Sequence, residues 1–255
     1  MSLDAFSLAG RVALVTGSSR GLGETFAEAL ARAGAHVVLN GRDEAAVAAN
    51  EERFREAGLS VSARAFDVTD EAAATAAVKE IAAEHGRLDI LVNNAGLARR
   101  APLEAYPTED WRTVMDVNLN ACFYLAREAA RPMLAGGYGR IIGIASIASF
   151  IARPVIAPYV VSKHGLAGLT KALAVEFGAR GVTANAIAPG YFVTEMTEHL
   201  AADPEFDGWL KGRTPMQRWG RPDELGGAAV FLASPASSYV NGHLLVVDGG
   251  MTASM

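Results

Sequence analysis

The 255-residue chain reads as a doubly wound α/β fold, a three-layer sandwich with a seven-stranded parallel sheet in the middle. Three observations predict it. Short apolar runs alternate with helical runs along the whole length, joined by brief connections. The first apolar run passes through a glycine-rich turn directly into a helix, as the opening of a dinucleotide-binding βαβ unit does. Residues able to do chemistry recur just after strand ends, where open parallel sheets hold ligands. No low-complexity linker or further repeat interrupts the alternation, so residues 1–255 read as a single domain.

The elements follow in order. Arg11–Thr16 (RVALVT) is the first strand, and Glu24–Ala33 is the first helix. Between them Gly17, Ser19, Arg20, Gly21, Leu22 and Gly23 form the turn. Its glycine spacing differs from G-x-G-x-x-G, yet it meets the same demand. The backbone must turn sharply and let a pyrophosphate reach the free N–H groups of a helix N-terminus. His36–Asn40 is the second strand. The acidic residue expected near its end to hold a ribose 2′-hydroxyl is absent, and Gly41 and Arg42 stand there. A guanidinium at that point suits a 2′-phosphate, with Arg20 assisting, so the expected cofactor is NADP, with NAD as the weaker alternative.

Glu44–Ala57 is helical, Val61–Phe66 is the third strand, and Asp67-Val68 closes it. Asp70–Glu84 is a helix opening on a Thr69/Asp70 cap. Leu88–Val92 is the fourth strand, followed by Asn93-Asn94-Ala95-Gly96. One long helix is expected from Pro107-Thr108 to Met133. It carries Asn118 among apolar neighbours, where an amide must be hydrogen-bonded. Arg140–Ala145 is the fifth strand and leads to Ser146. A helix bearing Tyr159 and Lys163 runs to about Phe177. Val182–Ile187 is the sixth strand, ending in Ala188-Pro189-Gly190. Thr194–Arg218 has no clean period, so a mobile cap over the site is expected at about residues 191–220. Pro222–Leu232 reads as a helix and Leu244–Val247 as the seventh strand.

Composition excludes several classes. Hydrophobic residues make up 51% and charged residues 20%, as in globular chains. A net charge of −5 argues against nucleic acid or an anionic membrane as partner, and leaves small anions open. Cys122 is the only cysteine, so no intramolecular disulfide forms, and its apolar setting reads as core packing. The five histidines are too scattered for a metal cluster. The Met1-Ser2-Leu3-Asp4 start lacks a signal-peptide layout, and no apolar run approaches the roughly 20 residues that span a bilayer, so a cytoplasmic protein is expected.

Tyr159 and Lys163 are four apart, which on a helix puts both on one face. A phenol titrates near about 10, and an ammonium beside it favours the phenolate. Such a pair serves a carbonyl/alcohol interconversion as general acid/base. The ordinary alternative is a buried tyrosine and a snorkelling lysine.

Taken together, Thr16–Gly23, Asp67-Val68, Asn93–Gly96, Asn118, Ser146, Tyr159-x-x-x-Lys163 and Pro189-Gly190 with Thr194 resemble the short-chain dehydrogenase/reductase family over essentially the whole chain. The separation of Ser146 from Tyr159 is the family's usual one, and that of Ser149 is not. The resemblance implies Tyr159 as general acid/base, Lys163 as its partner and holder of the nicotinamide ribose, and Ser146 on the reacting oxygen. It implies that Asn118 anchors a proton-relay water. For the cofactor it implies Gly17, Arg20 and Leu22 around the phosphates, Asp67 and Val68 at adenine, Asn94 at the neighbouring ribose with Ala95 and Gly96 also at the cofactor, and Pro189, Gly190 and Thr194 at the nicotinamide. Ala145 and Gly143 depart from residues common in the family.

Other stretches are similar to the gluconate 5-dehydrogenase branch, among them Ala98–Leu103, Ala152–Tyr159, Gly190–Glu195, Asp203–Phe206 and Val247–Met251. The implied reaction is hydride transfer between NADP(H) and an anionic sugar acid, 5-keto-D-gluconate/D-gluconate. Arg99, Arg100 and Arg153 follow strand ends near the site, and at least one of them, Arg99 foremost, is the expected carboxylate contact, the alternative being solvated or subunit-contact charges. Another ketone, such as a 3-oxoacyl thioester or a steroid, is the alternative substrate, and a cofactor-binding sensor without turnover is the alternative class. The family resemblance further implies a homotetramer, with Gly242–Met255 contributing to its interface.

Overall fold

Alternate residues of one short strand face two different cores, and this settles the architecture. In β1 (Val12–Val15), Ala13 and Val15 pack into one apolar cluster while Val12 and Leu14 pack into another. All four residues are buried, as in a strand covered on both faces. The computed structural model describes residues 3–254, so Met1, Ser2 and Met255, the outermost residues of the expected 1–255 domain, lie outside the described residues. Its sheet has seven strands, all parallel, in the order β3-β2-β1-β4-β5-β6-β7. The others are β2 (His36–Gly41), β3 (Val61–Ala65), β4 (Ile90–Asn93), β5 (Gly139–Ile144), β6 (Val182–Pro189) and β7 (Leu244–Val247). This is the doubly wound, Rossmann-type arrangement, and it bears out the expected fold class. The order reverses between β1 and β4, so a crevice opens there at the carboxyl ends.

Helices α1 (Gly21–Arg32) and α9 (Gly226–Ala233) cover the first face, through Phe26, Leu30 and Leu232. Helix α2 (Glu44–Glu56) joins them through Val47 and Phe54. The second face takes α3 (Glu71–His85), α5 (Ala121–Gly136) and α6 (Ala157–Phe177), through Ile81, Leu125, Met133 and Ala174. Among the described residues no helix is long and apolar enough to cross a membrane.

Three regions differ from the sequence expectation. The single helix from Pro107 to Met133 is α4 (Thr108–Met115), one π-helical turn at Asp116–Asn120, and then α5. A π turn inserts one residue into the helical ladder without breaking the helical pattern. The Pro222–Leu232 helix begins as a 3₁₀ turn, Pro222–Leu225, before α9. The cap holds two short helices, α7 (Glu198–Ala201) and α8 (Pro204–Arg213). Asp203 starts α8 by accepting from the Glu205 N–H at 3.0 Å, with Pro204 fixing the first turn.

Candidate active site

The glycine turn shapes one wall of the crevice. Gly17 has φ +61°, which favours glycine. A Cβ on Gly23 would sit 2.1 Å from the Gly17 carbonyl oxygen, so α1 packs onto the loop only with glycine there. Arg20 is the N-cap residue of α1, and its side chain caps nothing. The first-turn N–H groups therefore have no side-chain acceptor and suit a phosphate. Buried polar residues brace the loop. Asn40 Oδ1 accepts from the Gly17 N–H at 3.3 Å, and Asn50 donates to the Ser18 carbonyl at 2.8 Å. Asn94 donates from Nδ2 to the Thr16 and Gly17 carbonyls at 2.9 and 3.0 Å. Both N–H groups of its amide are thereby committed to the loop, so Asn94 shapes the glycine turn, and only its oxygen remains for a ribose.

Further along, Ser19 stands beside Gly41 where β2 ends, next to Arg42. The exposed Arg42 guanidinium is 3.9 Å from the Asp67 carboxylate. Asp67 also accepts from Thr69 N–H and hydroxyl at 2.9 and 2.7 Å, fixing the turn after β3. Val68 and Ala95 pack against the second core cluster, and Leu22 against the first. Arg20 pairs with Glu195 of the cap at 3.3 Å, so it bridges the loop to the cap and is not paired beside Arg42. These features, an uncapped helix start behind a glycine turn and a basic group at the end of β2, fit a dinucleotide with a 2′-phosphate.

The residues expected to react meet at the ends of β4, β5 and β6. Ser146 follows β5, and its Oγ accepts from the Ala148 N–H at 3.1 Å. Its own hydroxyl proton is thereby left to donate. Ser149 instead gives its hydroxyl to the Lys163 carbonyl at 2.8 Å, a helix-anchoring bond that agrees with the choice made on spacing. Lys163 is 5% exposed, and its Nζ donates to the Ile144 carbonyl at 2.6 Å. That ammonium lies 5.5 Å from the centre of the Tyr159 ring. Gly143, where a larger residue is common, lies against α6. A Cβ there would be 3.2 Å from Leu166 Cδ1.

Asn118 is fully buried in the π turn. Its Oδ1 accepts from Leu97 N–H at 2.9 Å, while Nδ2 donates to the Leu97 carbonyl at 2.9 Å and to Ser162 Oγ at 3.1 Å. Ser162 donates onward to the Tyr159 carbonyl at 2.8 Å. Both amide N–H groups are spent on protein partners, so a relay water here would donate to an Asn118 oxygen. What it does is tie the loop after β4 to the first turn of α6. Ser162, next to Lys163 in sequence, is a positioning residue that the Tyr159/Lys163 spacing does not reveal. Cys122, one turn on, is fully buried, and desolvation pushes its thiol up to about 11, so it packs and does not react.

A cavity of about 610 Å³ opens above Ser146 and Tyr159. Arg100 and Arg153 line it, together with Gly190, Tyr191 and the cap residues Thr197, His199, Trp209 and Arg213. Arg99 does not line it. Its Nε lies 3.9 Å from Asp110, and Tyr106 donates to its carbonyl at 2.9 Å. Arg100, its exposed neighbour in the loop after β4, lines the cavity instead. Thr194 is absent from the lining. Its N–H donates to Thr197 Oγ1 at 3.0 Å, making Thr197 the cap threonine at the cavity.

This constellation agrees with known proteins. A family model described as enoyl-(acyl carrier protein) reductase matches residues 17–252. Gluconate 5-dehydrogenase of Gluconobacter oxydans (strain 621H) is 51% identical over 252 residues, 99% of this chain and 98% of that protein. The 2-dehydro-3-deoxy-D-gluconate 5-dehydrogenase of Bacillus subtilis (strain 168) is 44% identical over 97% of this chain and 96% of its own length. A crystal structure of a gluconate 5-dehydrogenase from Burkholderia cenocepacia J2315, in complex with NADP and tartrate, superposes with a TM-score of 0.97 at 49% identity, covering 100% of both chains. With the serine, tyrosine and lysine at the strand ends and the match spanning nearly every residue, the chain belongs to the short-chain dehydrogenase/reductase family, oxidoreductases acting on alcohol and carbonyl groups.

Proposed function

We propose that the chain is an NADP(H)-dependent sugar-acid oxidoreductase interconverting 5-keto-D-gluconate and D-gluconate, with one domain carrying both cofactor and substrate sites. The observation that carries this reading is the charge of the cavity. Arg100, Arg153 and Arg213 line it, and no Asp or Glu does, in a chain of net charge −5. A hydroxylated carboxylate matches such a lining through charge-assisted bonds. The tartrate in the Burkholderia cenocepacia neighbour is a ligand of that chemistry. Arg42 at the end of β2 supports NADP over NAD.

When bound, NADPH supplies the hydride. The protein supplies the proton and the geometry. Ser146 donates its free hydroxyl proton to the substrate carbonyl oxygen, and Tyr159 delivers the proton that oxygen requires. Lys163, fixed by the Ile144 carbonyl, holds its Nζ 5.5 Å from the centre of the Tyr159 ring and so orients the proton donor. The cap residues Thr197, Leu200 and Trp209 form the far wall of the cavity.

A second substrate, 2-dehydro-3-deoxy-D-gluconate, satisfies the same charge pattern, and the Bacillus subtilis relative bears its name. A panel separates the readings. The purified protein is given 5-keto-D-gluconate and a 3-oxoacyl thioester with NADPH or NADH, and D-gluconate and 2-dehydro-3-deoxy-D-gluconate with NADP⁺. Reduction of 5-keto-D-gluconate with the highest kcat/KM, and a preference for NADPH, are expected. Turnover of the thioester without turnover of either sugar acid overturns the reading. We also propose a homotetramer. Val175 and Tyr239 are 86% and 101% exposed, and β7 is the last strand on its side of the sheet. Met251 of the expected interface segment is buried against Ile147 and Leu210 instead.

A further inference from the structure

We infer that Tyr191 is a positioning residue whose hydroxyl holds the Arg153 guanidinium in place to grip the substrate carboxylate. The inference rests on the sugar-acid reading above and says which group recognises the acid. Arg153 Nη1 donates to the Tyr191 hydroxyl at 2.6 Å. The guanidinium carbon lies 4.9 Å from the Phe206 ring centre, 5.2 Å from that of Trp209 and 5.9 Å from that of Tyr191. Among the described residues no carboxylate pairs with it, although most arginines of this chain have an acidic partner. A half-buried cation among ring faces, lacking a counter-charge and lining the cavity of Ser146 and Tyr159, is built for an incoming anion.

Tyr191 is itself locked. Its ring meets Phe206, Trp209 and Trp219 edge-on, with centres 5.5, 6.1 and 5.8 Å away. Trp219 donates its indole N–H to Asp207 at 2.9 Å, and this bond, after the one from Lys211, holds the Asp207 carboxyl below its usual range. The ring wall sets the plane of the Arg153 fork and the Tyr191 oxygen sets its rotation. One of the five guanidinium N–H groups is taken, and the remaining edge can present a bidentate pair. The other arginines are placed differently. Arg99 is off the cavity, Arg100 is exposed, and Arg213 donates to Ser254 Oγ at 3.1 Å.

The test compares 5-keto-D-gluconate with L-sorbose, the neutral ketose in which the carboxylate is replaced by a hydroxymethyl group. It uses the full-length protein with NADPH. Tyr191→Phe keeps the ring and removes the oxygen. It is expected to raise KM for 5-keto-D-gluconate about tenfold with kcat within about twofold, the size of one charge-assisted bond lost from binding alone. Arg153→Gln is expected to raise that KM by about a hundredfold. Neither change should move kcat/KM for L-sorbose by more than about twofold. In the Arg153→Gln background, Tyr191→Phe should cost nothing further, because it acts only through the guanidinium. Calorimetric binding of D-gluconate to the NADPH complex should follow the same pattern, and it supplies a readout independent of turnover.

A full additional loss in the double variant, or equal losses on L-sorbose, overturns the positioning role. If Tyr191→Phe does not fold, Arg153→Gln still decides, since retained preference for the acid refutes the grip. If the unaltered protein does not prefer 5-keto-D-gluconate to L-sorbose, the sugar-acid reading fails instead. Preference present in the wild type but unmoved in Arg153→Gln leaves that reading intact and refutes this one.

Discussion

At the scale of single residues, each hydrogen-bonding group near the reacting centre has one place to go. Ser149 is spent on a helix carbonyl and Asn118 on a loop and Ser162, while Lys163 gives one of its three N–H groups to the Ile144 carbonyl. The free hydroxyl protons are those of Ser146 and Tyr159, so these two can act on a carbonyl. Tyr159→Phe removes only the oxygen that carries the proton. Turnover should fall by about 10²–10⁴-fold, the usual worth of general acid/base help. NADPH affinity, followed by protein fluorescence, should stay within about twofold. Retained turnover would refute the role given to Tyr159. The pair was legible because four-residue spacing on a helix fixes a shared face. The arginines were not, because the loop after β4 has no regular period to decide between Arg99 and Arg100, and only the fold shows which one lines the cavity.

At the scale of elements, the glycine turn and α1 form a unit whose tolerance is set by one contact. A methyl on Gly23 meets the Gly17 carbonyl oxygen and lies 2.4 Å from Asn94 Nδ2, both fixed by the β1 and β4 ends. Gly23→Ala should therefore push α1 away from the loop. Overpacking of this kind costs about 1–3 kcal/mol. Because the same shift spoils the anion site, affinity for NADP should fall by about tenfold or more beyond any change in thermal midpoint. Binding unaltered in a Gly23→Ala protein would show that the first turn of α1 does not meet the phosphates.

The seven strands and most helices were readable from period and breaker residues. The π turn was not, because one inserted residue leaves the apolar pattern running through Asp116–Asn120. Nor were α7 and α8. Both are short, and the aromatic residues of α8, Phe206 and Trp209, pack on each other and on Arg153. A cap helix shaped by its ligand-facing side chains carries no core periodicity to read.

At the scale of the whole molecule, the two edges of the sheet do different work. The carboxyl edge gathers Ser146, Tyr159, the glycine turn and Arg42. At the amino edge, Asp89 is 2% exposed and accepts from Arg11 Nη1 at 3.1 Å, from the Val12 N–H at 2.9 Å, and from Arg87 Nε and Nη2 at 2.6 and 2.7 Å. Its carbonyl accepts from Arg140 N–H at 2.8 Å. One carboxylate thus clasps the starts of β1 and β4 beside β5, a full strand length from the chemistry. Removing a partner from a buried ion pair costs about 3–5 kcal/mol. Here both arginine side chains keep some contact with water, at 26% and 46% exposure, so about 2 kcal/mol is the better figure for Asp89→Asn. For a chain of this size that lowers Tm by about 4–8 °C. At temperatures where the variant is folded, its kcat and its KM for NADPH should match the unaltered protein within about twofold. Tyr159→Phe should do the reverse, losing turnover with Tm held. If Asp89→Asn lowers kcat while Tm stays put, the amino edge reaches the site and the two edges are not independent. A Tm loss alone is what a sheet with its chemistry at one end and its clasp at the other requires.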